Sequence, residues 1–179
     1  MQANSGRIFT VSNFLSFARV LLVWPIVMSL LERTGAGNVK ALLFMLVAVI
    51  TDYLDGYFAR KFDQRSDVGR IIDPLADKIG IAIVAIAMTV THELPVWFLI
   101  LIITRDLAIL LLGAFMVSRT KSIPESNWTG KVTVTAVAVV IIAFTLSIDT
   151  VKWYLLYACF AVLVISMYSY LKRFIGAMF

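Results

Sequence analysis

Residues 52–78 of the sequence read DYLDGYFARKFDQRSDVGRIIDPLADK, and they interrupt a chain that is otherwise strongly apolar. Asp52 and Asp55 stand three residues apart near the end of one apolar stretch. Asp73 and Asp77 stand four residues apart near the start of the next stretch. Residues three or four apart lie on the same face of an α-helix, so each pair of carboxylates would share one helix face. The segment between the two stretches is short, which predicts two antiparallel neighbouring helices with all four carboxylates at one depth.

The composition of the chain places it in a membrane. Hydrophobic residues make up 61% of the 179 residues and charged residues 15%, against roughly 45–50% and about 25% in soluble domains. The mean hydropathy is +0.93. A soluble domain of this length cannot bury so much apolar side chain, so the composition predicts an integral membrane protein and excludes intrinsic disorder. The net charge of +5 fits basic loops at anionic lipid better than nucleic-acid binding, and no nucleic-acid partner is expected.

Six apolar stretches approach the length of about 20 residues that a membrane-spanning helix needs. They are Phe14–Leu31, Val39–Tyr57, Val68–Val90, Leu94–Val117, Val132–Ile148 and Trp153–Ile175. Gly35–Asn38 and His92–Pro95 are expected to be turns between them. The sequence thus predicts an all-α integral membrane protein with six transmembrane helices, which form a single domain over residues 1–179.

The basic residues outside these stretches are distributed unevenly between the two sides of such a bundle. One side carries Arg7, Arg60, Lys61, Arg65, Arg70, Arg119, Lys121, Lys131, Lys172 and Arg173. The other side carries Arg33, Lys40 and Lys152. Because loops rich in Lys and Arg stay in the cytoplasm, we expect both termini and the four aspartates on the cytoplasmic side of the cell membrane.

Carboxylates inside apolar stretches are costly, since an ionised one at the bilayer centre costs at least ~2.5–3.5 kcal/mol. Four of them at one depth repel one another unless positive charge lies among them. A cluster made only of carboxylates suits a hard divalent cation such as Mg²⁺ or Mn²⁺, and four can hold two such ions, as in two-metal phosphoryl chemistry. The alternative is that the side chains of Arg60, Lys78 and Arg105 neutralise the acids without a metal.

Together these residues form the pattern D-x₂-D-G-x₂-A-R-x₈-G-x₃-D-x₃-D from Asp52 to Asp77. The pattern resembles the signature of the CDP-alcohol phosphotransferase family at every fixed position, and the resemblance extends along the whole chain. Thr10–Leu15 with Arg19 is similar to the amino-terminal segment of that family, which forms a short interfacial helix before the first span. The resemblance implies a homodimeric enzyme that transfers a phosphatidyl group from CDP-diacylglycerol to an alcohol and releases CMP.

The resemblance also implies roles for individual residues. A centre of two Mg²⁺ or Mn²⁺ ions would be held by Asp52, Asp55, Asp73 and Asp77, with Asp77 as the general base. The CDP moiety would be bound by Asp52, Gly56, Ala59, Arg60 and Gly69. Elementary chemistry agrees, because metal ions on the diphosphate oxygens neutralise the charge that develops on CMP, and an arginine offers a planar fork to a diphosphate.

The acceptor alcohol is less constrained by the sequence. A phosphorylated acceptor such as glycerol 3-phosphate needs a basic pocket beside the metal site, and the candidates are Arg70, Arg105 and Lys131. Arg105 is the costliest of these to bury, and a salt bridge with Asp106 is an alternative role for it. Family members that make phosphatidylglycerophosphate often carry Glu after this arginine, and Asp106 looks closer to some cardiolipin synthases.

We therefore expect glycerol 3-phosphate as the acceptor, which gives phosphatidylglycerophosphate. Phosphatidylglycerol, as in a cardiolipin synthase, inositol phosphate and serine are the alternatives. A small cation or proton transporter also carries acids inside the membrane. Here, however, the acids cluster at one interface and the sequence has no inverted repeat, which favours the enzyme. Cys159 is expected to serve in packing alone.

Overall fold

The computed structural model describes residues 11–61, 69–120 and 128–178, with side chains at 18–51, 54, 78–113, 115, 128–172 and 174–176. This part of the chain forms six α-helices. They are α1 (Val11–Leu31), α2 (Gly35–Lys61), α3 (Gly69–Val90), α4 (Val96–Thr120), α5 (Trp128–Thr145) and α6 (Asp149–Met178). The prediction of an all-α protein with six helices is thus confirmed. The chain divides into two compact units, Met1–Thr91 and His92–Phe179.

The helices of the second unit have the length and composition of membrane spans. Within the part of the chain that the structure describes, the qualifying segments are Val96–Gly113, Trp128–Thr145 and Asp149–Gly176. Among the described side chains, the first unit contributes apolar segments at Ala18–Leu31 in α1, Gly35–Thr51 in α2 and Lys78–Val90 in α3. The protein is an integral membrane protein, and the spanning of the bilayer by α1 to α3 stays a prediction.

The amino-terminal segment was expected to form its own interfacial helix at Thr10–Leu15. Val11–Leu15 instead form the first turns of α1, which is continuous to Leu31. No glycine or proline separates these residues from the apolar run that follows, so the helix has no reason to stop there. Residues 1–10 lie outside the described ranges, and an interfacial helix within them stays a prediction.

The described connections between helices share one backbone feature. Each contains a residue other than glycine in the left-handed region: Arg33 (φ 51°), His92 (φ 64°) and Ser147 (φ 52°). A left-handed residue just after a helix ends it and lets the chain reverse direction. The predicted turn at His92–Pro95 is confirmed, because these residues separate α3 from α4.

The first connection lies earlier than the sequence predicts. The chain turns between Leu31 and Gly35, and the Gly37 backbone N–H donates a hydrogen bond of 3.0 Å to the Thr34 hydroxyl oxygen. Thr34 is therefore the N-cap of α2. The prediction of a turn at Gly35–Asn38 is wrong, since these residues form the first turn of α2.

In the first unit, α1 packs against both α2 and α3. At one end, Arg33 Nη2 donates a hydrogen bond of 3.2 Å to the Val90 carbonyl oxygen. In the middle, a Cβ placed on Gly80 would lie 3.3 Å from Val23 Cγ2. Both pairs are 57 residues apart in the sequence, so α1 and α3 run parallel in a constant register.

In the second unit, α6 packs against both α4 and α5. Its buried stripe consists of residues spaced alternately by three and four, namely Leu156, Cys159, Leu163 and Ser166. This spacing is that of one face of a helix. Cys159 is 2% exposed within the stripe, so its expected packing role is confirmed.

Aromatic contacts give the directions of these helices. The ring centroids of Trp97 and Phe160 lie 6.0 Å apart, and those of Phe115 and Phe174 lie 5.8 Å apart, so α4 and α6 run parallel. The ring centroids of Phe144 and Trp153 lie 5.5 Å apart next to the α5–α6 turn, as expected for an antiparallel pair.

Candidate active site

The two aspartate pairs lie at the same end of the first unit. The α1–α2 turn and the end of α3 are joined through Arg33 and Val90, so the end of α2 and the start of α3 are both at the opposite end. With a rise of about 1.5 Å per residue, Asp52 and Asp73 are each ~25 Å along their helices from that junction. The fold therefore brings both pairs to the same end of the first unit. The same rise places Asp55 ~30 Å and Asp77 ~20 Å from the junction, so the four residues span about 10 Å along the helices.

The helical backbone also confirms that each pair shares a helix face. Asp52 and Asp55 are both in α2, and Asp73 and Asp77 are both in α3. The side chains of these four residues lie outside the described set, and so do those of Ala59, Arg60 and Arg70. Gly56 lies in α2, five residues before its end, and Gly69 is the first residue of α3. Among the side chains that are described, no group of three or more His, Cys, Asp or Glu residues could hold a metal ion.

Arg19 of α1 lies close to the level of Asp77. The register of α1 against α3, fixed by Val23 with Gly80, places Arg19 beside residue 76 of α3. Its side chain is half-buried and already has an interaction partner. A positive charge is thus present in α1 at the depth of the carboxylates.

Arg105 is the most deeply buried charged side chain that the structure describes, with 5% of it exposed. It lies on the buried stripe of α4, one turn after Ile102. Its Nη1 donates a hydrogen bond of 2.5 Å to Asp106 Oδ1, and its Nη2 donates one of 2.8 Å to Ser166 Oγ. The guanidinium carbon lies 5.9 Å from the ring centroid of Tyr170, within cation–π range. We call Arg105, Asp106, Ser166 and Tyr170 the Arg105 cluster.

The Arg105 cluster keeps a charged group inside an apolar helix bundle. The alternative role that the sequence leaves open, a salt bridge with Asp106, is present. This pairing does not use all the donors of the guanidinium, which has five N–H groups. Nε is buried and has no hydrogen-bond partner among the described residues. The cluster is therefore held by the protein while one of its buried donors has no partner among the described residues.

Lys131 lies at the start of α5, on the same level of the second unit as Tyr170. Its neighbour Gly130 is so close to α6 that an added Cβ would lie 3.0 Å from Tyr170 Oη. The Lys131 side chain is exposed. Gly130, the residue before Lys131, thus lies against the same tyrosine whose ring is beside Arg105.

Ser166 and Tyr170 were not predicted from the sequence. Ser166 is 0% exposed and is the one polar residue on the described buried stripe of α6. A polar residue at a core position of an apolar helix is a signal that it has a specific partner. The signal does not identify that partner, because Arg105 is 61 residues away in the sequence.

Comparison with known proteins supports the interpretation of this arrangement. The model of the CDP-alcohol phosphatidyltransferase family matches residues 9–165. The chain belongs to this family. The prediction of a CDP-alcohol phosphatidyltransferase, and hence of a transferase enzyme, is confirmed. Enzymes of the family generally depend on a divalent metal.

Three relatives within the CDP-alcohol phosphatidyltransferase family differ in their named products. A cardiolipin synthase (CMP-forming) of Streptomyces coelicolor is 31% identical over 73% of this chain and 62% of its own length. A probable phosphatidylglycerophosphate synthase of Mycobacterium tuberculosis is 31% identical over 82% of this chain and 71% of its own length. A CDP-diacylglycerol–glycerol-3-phosphate 3-phosphatidyltransferase of Aquifex aeolicus is 34% identical over 69% of this chain and 68% of its own length. The name of the Aquifex aeolicus relative gives glycerol 3-phosphate as a substrate, whereas the name of the Streptomyces coelicolor relative gives cardiolipin as the product.

Proposed function

We propose that the protein transfers a phosphatidyl group from CDP-diacylglycerol to glycerol 3-phosphate and releases CMP. The observation that carries this proposal is that α2 and α3 bring Asp52, Asp55, Asp73 and Asp77 to the same end of the first unit. The names of the relatives supply the donor and the class of acceptor. We further propose that residues 1–179 act as one catalytic domain.

The four aspartates fit a divalent metal centre by their chemistry. They supply only carboxylate oxygens, which are the ligands of Mg²⁺ and Mn²⁺, and they come from two helices at the same end of the first unit. Two ions held there would neutralise charge on the diphosphate of the donor and on the departing CMP. Without such ions, four carboxylates near one membrane interface would repel one another strongly.

The protein's own residues would bind the donor and move one proton. Arg60 would bind the diphosphate as a fork, while Gly56, Ala59 and Gly69 would let the cytidine part approach the helix backbones. Asp77 would take the proton from the acceptor hydroxyl. The acceptor oxygen then bonds to the phosphorus that carries the diacylglycerol, and the bond from that phosphorus to the bridging oxygen breaks. CMP leaves with the electron pair of that bond.

Arg105, Lys131 and Arg70 would bind the phosphate of the acceptor. The support for Arg105 is its burial together with its unused Nε donor among the described residues. A guanidinium held in a fixed orientation is well suited to binding a phosphate group. A cardiolipin synthase activity with phosphatidylglycerol is the second candidate, and it is favoured by the relative from Streptomyces coelicolor.

The proposed active site opens to the cytoplasmic side of the cell membrane, where both termini also lie. The excess of basic residues near the ends of α2, α4 and α6 supports this orientation. We also propose that the protein acts as a homodimer, as the family resemblance implies.

Release of CMP by the purified protein tests the proposal. The assay would contain CDP-diacylglycerol, Mg²⁺ or Mn²⁺, and one acceptor at a time: glycerol 3-phosphate, phosphatidylglycerol, inositol 1-phosphate or serine. We expect release with glycerol 3-phosphate, its loss on chelation of the metal, and a fall of about 10²–10⁴-fold in Asp77→Asn. Asp149→Asn is the matched control, because Asp149 is the first residue of α6 and its carboxylate is exposed. Release with phosphatidylglycerol alone would favour the second candidate. If none of the four acceptors supports release of CMP, both candidates are overturned.

A further inference from the structure

We infer that Ser166 and Tyr170 are positioning residues that set the orientation of Arg105 for the acceptor phosphate, and that Gly130 leaves the space that Tyr170 requires. The inference rests on the proposed function, because it assumes that Arg105 binds the acceptor. It adds three residues of α5 and α6 that the motif of α2 and α3 does not contain.

Arg105 is held by side chains of two helices. Its two Nη atoms donate hydrogen bonds to residues of different helices. Nη1 donates to Asp106 of α4 at 2.5 Å, and Nη2 donates to Ser166 of α6 at 2.8 Å. A planar group bonded at both of these ends, with the Tyr170 ring beside it, has little freedom to rotate. Nε is buried without a hydrogen-bond partner among the described residues. The orientation of the remaining donors is thus fixed in advance, which lowers the entropy lost on binding an anion.

Ser166 occupies a core position of α6. Apolar neighbours precede it on the buried stripe of α6, and its hydroxyl is fully buried. A buried hydroxyl costs free energy unless it is hydrogen-bonded, so packing alone would favour alanine here. The bond to Arg105 explains why a serine stands at this place.

Gly130 of α5 lies close to the Tyr170 side chain of α6. A Cβ on Gly130 would lie 3.0 Å from Tyr170 Oη but 3.9 Å from the nearest ring carbons, Cε2 and Cζ. The hydroxyl is thus the one atom of Tyr170 that a methyl group would meet closely. Alanine at this position would require the tyrosine hydroxyl to shift by a few tenths of an ångström, and the ring would shift with it relative to the guanidinium beside it.

The first test is the Ser166→Ala variant, assayed at varied glycerol 3-phosphate and at varied CDP-diacylglycerol. We expect the KM for glycerol 3-phosphate to rise about tenfold, as for a lost hydrogen bond to a charged group, with the KM for CDP-diacylglycerol unchanged. A serine that served only in packing would leave the ratio of the two KM values as in the wild type. An unchanged ratio therefore overturns the inference.

The second test is a compensation experiment at the α5–α6 contact. Gly130→Ala should also raise the KM for glycerol 3-phosphate, and adding Tyr170→Phe should restore it, because phenylalanine keeps the ring and removes the close hydroxyl. Gly113→Ala in α4 is the matched control, since no atom lies within 4 Å of its added Cβ, and it should behave as the wild type. A double variant as impaired as Gly130→Ala alone would contradict the inference.

The experiments distinguish a failure of the proposed function from a failure of the inference about Ser166, Tyr170 and Gly130. A wild-type protein that turns over glycerol 3-phosphate, together with an unchanged KM ratio in Ser166→Ala, removes the inference and leaves the proposed function intact. A wild-type protein that releases CMP only with an acceptor lacking a phosphate group removes both.

Discussion

The Arg33 side chain donates a hydrogen bond of 3.2 Å to the carbonyl oxygen of Val90. This bond joins the α1–α2 turn to the last residue of α3, and it satisfies a carbonyl that the end of a helix leaves without an internal partner. It also shows that the start of α2 and the end of α3 are at one end of the first unit. The aspartates of α2 and α3 therefore lie toward the other end of this unit.

Arg33 itself has a left-handed backbone conformation, with a φ of 51°. We expect Arg33→Val to destabilise the protein more than Arg33→Gly does, although both lose the bond to Val90. A β-branched residue with a positive φ costs roughly 1–2 kcal/mol, whereas glycine adopts this conformation freely. Thermal unfolding in detergent would measure the difference. Equal stability of the two variants would contradict a left-handed residue at this position.

Gly37 allows α1 and α2 to approach closely. A Cβ at this position would lie 2.5 Å from the carbonyl oxygen of Ser29 in α1, which is backbone and cannot move aside easily. Gly37→Ala should therefore destabilise the protein, even though alanine in a helix interior is about 1 kcal/mol more favourable than glycine.

The nearby Gly35 provides the control for this prediction. No atom lies within 4 Å of a Cβ on Gly35, so Gly35→Ala should be neutral or stabilising. The measurement is the unfolding midpoint of both variants under the same conditions. A Gly37→Ala variant as stable as Gly35→Ala would exclude the close contact with Ser29.

The same two glycines show where prediction from the sequence succeeds and where it stops. Hydrophobicity and length alone predict the six helices, because each has a long apolar run that a bilayer requires to be helical. The position of the first turn was predicted wrongly, because glycine is common both in turns and in close helix contacts. Only the packed structure shows that Gly37 serves the contact with Ser29.

For the candidate site too, some features can be predicted from the sequence and others cannot. The spacing of Asp73 and Asp77 predicts a shared helix face from local geometry alone, and α3 confirms it. Arg105 stands out in the sequence because a charge within an apolar helix is costly. Its partner Ser166 is 61 residues away, and no local pattern encodes a contact over that distance. Pairings of this kind are set by how α4 packs on α6.

Removal of one partner from the ion pair of Arg105 with Asp106 should cost far more stability than the same change in the pair of Lys152 with Asp149. Asp106→Ala would leave a guanidinium that is 5% exposed without its counter-charge, which costs about 3–5 kcal/mol. Asp149 is 83% exposed, and Asp149→Ala should cost no more than about 1 kcal/mol. Chemical unfolding of both variants would measure the two values. Similar losses would show that Arg105 does not depend on Asp106.

The orientation in the membrane can be tested with single cysteines, because the one native thiol is inaccessible. Cys159 is 2% exposed in the core of the second unit, so it should react with a maleimide only after denaturation. In a Cys159→Ala background, cysteine can replace Ser147, in the exposed α5–α6 turn, or Lys172, exposed near the end of α6.

A membrane-impermeant maleimide added to intact cells should label the Ser147→Cys protein and not the Lys172→Cys protein. Permeabilising the cells should make Lys172→Cys reactive as well. The physical reason is the asymmetry of basic residues, which retains the end of α6 in the cytoplasm and places the α5–α6 turn outside. The opposite labelling pattern would place the termini outside the cell.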